Sequence, residues 1–128
     1  MHSSAYYSIM KEPNYTQEYE DWFTSQEEEN QIVITAKVKV LMEFGSSLGR
    51  PHADTIKGSK YKKLKELRFT NKKHLFRILY IFDEIRECWL LIGGNKKGKN
   101  ADTFYQNLIK QAEKIIENNP KIMEGKKR

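Results

Sequence analysis

At 128 residues, with 38% hydrophobic and 31% charged side chains, the chain has material for one domain with a real core, too little for two, and too much apolar content for a disordered segment. No apolar run approaches the roughly 18–20 residues of a membrane-spanning helix, and the start, Met1-His2-Ser3-Ser4-Ala5-Tyr6-Tyr7, lacks the basic and hydrophobic stretches of a secretory signal. The single cysteine, Cys88, excludes an internal disulfide framework and suits a reducing compartment, so a cytoplasmic protein is expected.

The net charge of +6 is unevenly spread. Residues 1–49 hold 8 acids and 3 bases; residues 50–77 hold 10 bases and only 2 acids, Asp54 and Glu66; residues 78–128 hold 10 bases and 7 acids. A basic block inside a folded domain concentrates positive potential and attracts polyanions, nucleic acid above all. A solvated lysine-rich surface with no partner would have the same composition, so charge alone leaves both open.

In chain order, residues 7–12 predict a short first strand stopped by Pro13. Tyr15, Tyr19, Trp22 and Phe23 then recur at helical spacing, an aromatic stripe for the core on a helix capped near Asn14 or Thr16. Ser25 and Glu28 have the spacing of a capping box and announce a second helix. It carries Ile34, Val38, Leu41 and Met42 inward and ends near Gly45. Ile34, Ala36, Val38 and Val40 also alternate as a strand would, but the length and the cap favour a helix.

After the loop from Gly45 to Pro51, residues 62–69, 74–82 and 86–94 read as three strands of an antiparallel meander, with turns at 70–73 and 83–84. The middle strand is nearly all apolar, as expected of one covered on both faces. Asn100 or Asp102 caps a last helix with Leu108, Ala112, Ile115 and Ile116 inward, stopped at Pro120. The expected order is β-α-α-β-β-β-α, an α+β domain with two N-terminal helices packed on a small antiparallel sheet. Residues 1–120 form its single domain and residues 121–128 a frayed basic tail.

Within the hairpin from Lys62 to Phe82, a tip at Asn71-Lys72 sets Thr70 against Lys73 and Glu66 against Arg77, with Arg68 on the same face. Arg77 is then a charge inside an apolar strand and needs Glu66 as a partner. The pair is either purely structural or an arginine oriented to grip a phosphate, for which its planar fork is suited. The stretch from Gly93-Gly94 through Lys96, Lys97 and Lys99 to Asn100 would let a ligand approach the backbone closely beside lysines at a helix N-terminus. His2, His52 and His74 lack the spacing of a catalytic or metal-binding set and read as ordinary surface histidines. Cys88 reads as packing. No metal-site cluster and no nucleophile motif is visible, and no cofactor is expected.

Five runs in order carry a resemblance: Phe44-Gly45-Ser46-Ser47-Leu48-Gly49-Arg50-Pro51, Ile56-Lys57-Gly58-Ser59, Leu64-Lys65-Glu66-Leu67-Arg68, Phe76-Arg77-Ile78-Leu79-Tyr80 and Leu90-Leu91-Ile92-Gly93-Gly94-Asn95-Lys96-Lys97. Over roughly residues 7–118 the chain resembles the RelE/HigB toxin superfamily, most closely its phage-derived HigB-like branch. The resemblance implies that the second segment is helical. It also implies a toxin of a type II toxin–antitoxin pair, a metal-independent messenger-RNA endonuclease acting in the 70S ribosomal A site by attack of a ribose 2′-hydroxyl on the adjacent phosphate. Its partner would be a helix-turn-helix antitoxin of the HigA kind.

Such a cut requires a base for the 2′ proton, an acid for the leaving 5′ oxygen and cations for the phosphorane. By the same resemblance Arg77 stabilises the phosphate, Lys96 or Lys97 acts as acid or charge stabiliser, Tyr105 stacks on a base or orients the ribose, and Arg68 binds RNA. Arg50, Lys57, Lys63, Lys65 and Lys99 are candidate RNA-backbone contacts. Glu66 stands where better-known RelE toxins carry a lysine, which makes it either the orienter of Arg77 or itself the base. A ParE-like inhibitor of DNA gyrase, sharing the fold but cutting nothing, is the rival; the basic set of Arg77 with Lys96 and Lys97 favours the nuclease.

Overall fold

The computed structural model describes residues 12–124, so the strand expected over 7–12 lies, but for Glu12, outside the described residues. The first described strand is β1, Asn14–Tyr15, which pairs parallel with a later strand through Asn14↔Trp89 and Tyr15↔Leu90. Helix α1 spans Gln17–Thr24, and Thr16 caps it by accepting from the Tyr19 N–H. Of its aromatic stripe Tyr19 is buried and Trp22 and Phe23 are half-buried against the sheet, while Tyr15 lies outside the helix and is exposed.

Helix α2, Glu28–Phe44, buries Ile34, Val38 and Leu41 on one stripe and ends at Gly45, whose φ of 64° suits glycine. Met42 is only half-buried. The capping box expected at Ser25 does not form. Glu27 is the N-cap and makes no side-chain cap bond, while Ser25 closes α1 and its hydroxyl donates to the Trp22 carbonyl.

A five-stranded sheet follows, with strands β2 (Ala53–Thr55), β3 (Lys65–Asn71), β4 (His74–Phe82) and β5 (Cys88–Asn95) in the order β1-β5-β4-β3-β2. It is mixed rather than purely antiparallel, because the edge strand β1 runs parallel to β5. The strand β2 was not expected; three residues on an edge carry no readable periodicity. Helix α3, Ala101–Asn118, is capped by Asn100, and α4, Lys121–Glu124, follows where a frayed tail was expected. Ile122 of α4 is 1% exposed, so burial of one isoleucine holds this short helix on the core.

Strand alternation divides the core. Ile78 and Tyr80 of β4 face Tyr19 of α1 and Ile34, Val38 and Leu41 of α2; Leu79 and Ile81 face Leu108, Ala112 and Ile115 of α3. The central strand is therefore covered on both faces, as its apolar run required. An extra residue in β5 opposite Leu79 and Tyr80 turns both Leu91 and Ile92 toward α3. Cys88 is buried in the helix-pair face, where burial pushes its thiol up to about 12, with Asp83 adding to the effect. Two adjacent glycines seat helices from opposite sides. A Cβ on Gly93 would meet the Trp22 ring at 2.3 Å, and one on Gly94 would meet Phe104 at 3.0 Å. The close approach expected there is made by the protein's own side chains.

A cationic hollow beside the C-terminal helix

The β3–β4 hairpin turns at Lys72-Lys73, one residue later than expected, with Lys72 at a φ of 57°. Asn71 stays in the ladder opposite His74 because its amide donates to Asn30 of α2, a buried side chain, at 2.9 Å. The shift makes Arg68 the partner of Arg77 and moves Glu66 opposite Leu79. Two arginines abreast on one face repel, so each leans toward the row of acids two residues away. Arg77 Nε lies 3.6 Å from Glu66 Oε1 and Arg68 Nη1 lies 3.9 Å from Asp54 Oδ2. The ion pair read from the sequence exists, as a diagonal contact rather than a direct one.

The first turns of α3, seated on Gly94, bring Tyr105 over this row. Arg77 Nε donates to Tyr105 Oη at 2.9 Å, and the tyrosine hydroxyl donates to Glu66 Oε1 at 2.6 Å. Arg77 Nη1 donates to the Phe76 carbonyl at 2.9 Å, which leaves Nη2 without a hydrogen bond among the described residues. Burial, then the bond to Glu66, raises the Tyr105 hydroxyl above its ordinary value. The Lys96 ammonium lies 5.8 Å from the centre of the Tyr105 ring, within range of a cation–π contact.

The Arg77 side chain is only 7% exposed, as befits a charge inside a strand covered on both faces. The coverage follows from α3 and from the commitment of two of its three nitrogens. Arg77 nonetheless borders a shallow hollow of about 400 Å³ with Lys37, Pro51, His52, Arg68 and Thr70. Tyr105 also borders a second hollow, of about 570 Å³, that Lys57 lines with Lys110 and Asp102.

Arg77, Arg68, Glu66, Tyr105 and Lys96 are thus brought together, with Lys57 nearby. Lys97 is exposed on the adjoining loop. Lys99 folds back to donate to the Asn95 carbonyl at 3.1 Å, and Arg50 pairs with Asp54 at 3.3 Å. Lys63 and Lys65 are not part of this cluster. They line a separate hollow under the end of α2 with Phe44 and Arg86, and Lys65 also donates to the Ser46 carbonyl. Their chain alternation puts Lys65 on the face opposite Arg68.

The sequence reads His52 as an ordinary surface histidine, but the structure sets it beside Lys37 and Arg68. Its carbonyl accepts from the Arg68 N–H at 2.8 Å, which continues the row of Arg68 and Arg77, and Lys37 Nζ lies 2.7 Å from its Nδ1. Burial lowers the Lys37 ammonium below its ordinary value. Nothing in the local sequence marks His52, because its neighbours come from α2 and β3. Among the described residues no group of three or more His, Cys, Asp or Glu side chains could hold a metal ion. No helix among them is long and apolar enough to cross a membrane.

A small mixed sheet with an N-terminal helix pair on one face, a C-terminal helix on the other and this cationic corner defines a RelE/HigB-like α+β domain. The family model "Phage derived protein Gp49-like (DUF891)" matches residues 21–117. Two Mycobacterium tuberculosis proteins are similar to the chain. The one named "Putative toxin HigB2" is 35% identical over 96 residues, which is 74% of this chain and 47% of that protein. "Putative toxin HigB3" is 35% identical over 99 residues, or 77% of this chain and 84% of that one. The match thus spans about half of the first relative and most of the second. The chain belongs to the phage-derived Gp49-like family of RelE/HigB-like toxin–antitoxin proteins.

Proposed function

We propose that this protein is the toxin of a toxin–antitoxin pair and an endoribonuclease that cuts messenger RNA in the 70S ribosomal A site, restrained by a helix-turn-helix antitoxin of the HigA kind. The observation that carries the reading is the Arg77–Tyr105–Glu66 network with Lys96 over the tyrosine ring. Three basic side chains and a tyrosine meet where the sheet emerges from under α3. That set meets the needs of 2′-hydroxyl attack with no bound metal.

In this mechanism Tyr105 accepts the 2′ proton as its own passes to Glu66, so the buried carboxylate works as base through the tyrosine. A concerted relay is required, since the raised Tyr105 hydroxyl does not ionise alone. The 2′ oxygen attacks phosphorus and the bond to the 5′ oxygen breaks. Lys96 donates a proton to that oxygen. Arg77 Nη2 and Arg68 stabilise the phosphorane charge, and Lys57 and Lys97 hold the flanking backbone. Arg50, Lys63, Lys65 and Lys99 serve at most as outlying contacts, with ribosomal RNA or with the message farther along.

The test is to map RNA 5′ ends after brief induction of the wild type and of Tyr105→Phe. Codon-phased cuts in the wild type, reduced by about 10²-fold or more in the variant, are expected. Tyr105→Phe is preferred to Arg77→Ala because it leaves the ion pair intact. Intact messages together with inhibited DNA supercoiling would replace this reading with the ParE-like one.

A further inference from the structure

The strand β5 ends at Asn95, whose side chain ties three pieces of backbone together. Its Oδ1 accepts from the Leu75 N–H at 3.0 Å and from the Lys97 N–H at 3.1 Å. The adjacent Lys96 N–H donates to the Leu75 carbonyl at 2.8 Å. With both lone pairs of Oδ1 taken by N–H groups, the amide has one orientation, and its NH₂ faces His74 Nδ1 at 2.7 Å. An NH₂ group only donates, so Nδ1 must accept and therefore carries no proton. Stacking on Phe76, at 5.4 Å between centroids, holds the imidazole plane in place.

We propose that His74 is a positioning residue for the Lys96–Lys97 segment and acts only while Nδ1 is unprotonated; the functional importance of that segment rests on the nuclease reading above. A proton on Nδ1 sets two donors head to head. The clash is relieved if the Asn95 amide turns over, which sacrifices the bonds to Leu75 and Lys97, or if the imidazole leaves, which strands the NH₂. Either way the tether that aims Lys96 at Tyr105 loosens. The charged groups around His74 do not supply a substitute. Glu29 of α2 faces it but is engaged by Lys72 at 2.9 Å. Lys72 and Lys73 at the hairpin tip and Lys97 beyond Asn95 are cations, which cannot accept from a protonated imidazole.

The amide resonances of Leu75 and Lys97 in ¹⁵N-labelled protein, followed from about pH 8 to about pH 5, test the tether without reference to catalysis. Both are expected to move together with the titration of the His74 ring. They should stay still in His74→Gln, whose side-chain carbonyl accepts from Asn95 at any pH.

A Lys97 amide that ignores protonation of the His74 ring, or that still responds in His74→Gln, overturns the proposal. Cleavage should fall by about tenfold or more on the acid side in the wild type and not in His74→Gln, as expected of a misplaced catalytic group. A wild type that cuts no RNA at any pH refutes the nuclease reading alone, since the amides decide the tether.

Discussion

Arg77 and Glu66 are 5% and 6% exposed, in a domain where every other side chain of β4 from Phe76 to Ile81 is apolar or aromatic. Removing one member of such a pair leaves the other charged, buried and under-bonded, at a cost of about 3–5 kcal/mol. Arg77→Ala should lower stability by that much in urea unfolding, and Arg77→Met combined with Glu66→Leu should recover most of it. An Arg77→Ala protein within about 1 kcal/mol of wild type would mean that the pair contributes little. The partnership was legible because a charge in an apolar strand demands an opposite charge within reach. Its geometry was not, because the tip of the hairpin is decided by Asn30, 41 residues from Asn71. His52 read as an ordinary surface histidine for a related reason: its chemical neighbours Lys37 and Arg68 are distant in the chain.

At the scale of elements, Gly93 and Gly94 set the heights of α1 and α3 over the sheet. Gly93→Ala puts a methyl group inside the Trp22 ring and forces α1 outward, with an expected loss of about 1–3 kcal/mol. Thermal melts with near-ultraviolet circular dichroism of the tryptophans check this; unchanged stability with unchanged spectra would refute the seating. Periodicity alone made the last helix readable, with Leu108, Ala112 and Ile115 buried, whereas Ile34, Ala36, Val38 and Val40 also alternate as in a strand and the length of that segment favoured the helix that buries Ile34, Val38 and Leu41. Helix starts were readable where the side chain makes its bond, as at Thr16 and Asn100. The start of α2 was not, because Ser25 spends its hydroxyl on the preceding helix.

Among the described residues the first turns of α1 and α2 are acidic, with Glu18, Glu20, Glu28 and Glu29, while Lys57 and Lys96 lie beside Tyr105, Arg68 lies beside Arg77 and Lys97 is exposed on the adjoining loop. If Lys57, Arg68, Lys96 and Lys97 meet phosphates, ribosome association should weaken by about fiftyfold to a hundredfold between about 50 and about 200 mM salt. Titration of binding against salt measures the slope. A flat dependence would show that the basic block does not contact the RNA backbone.

What the sequence determined unaided is the kind of the meander strands and of the first and last helices and much of both core faces, since these depend on periodicities over neighbouring residues. Tertiary structure alone decided the strand register, the parallel edge strand, the split of Lys63 and Lys65 from the site and the bond from Arg77 to Tyr105. A slip of one residue exchanges every cross-strand neighbour, and here the choice between registers is made by contacts from other layers. The site is assembled from five separate stretches of chain, so its membership is a property of packing rather than of any local pattern.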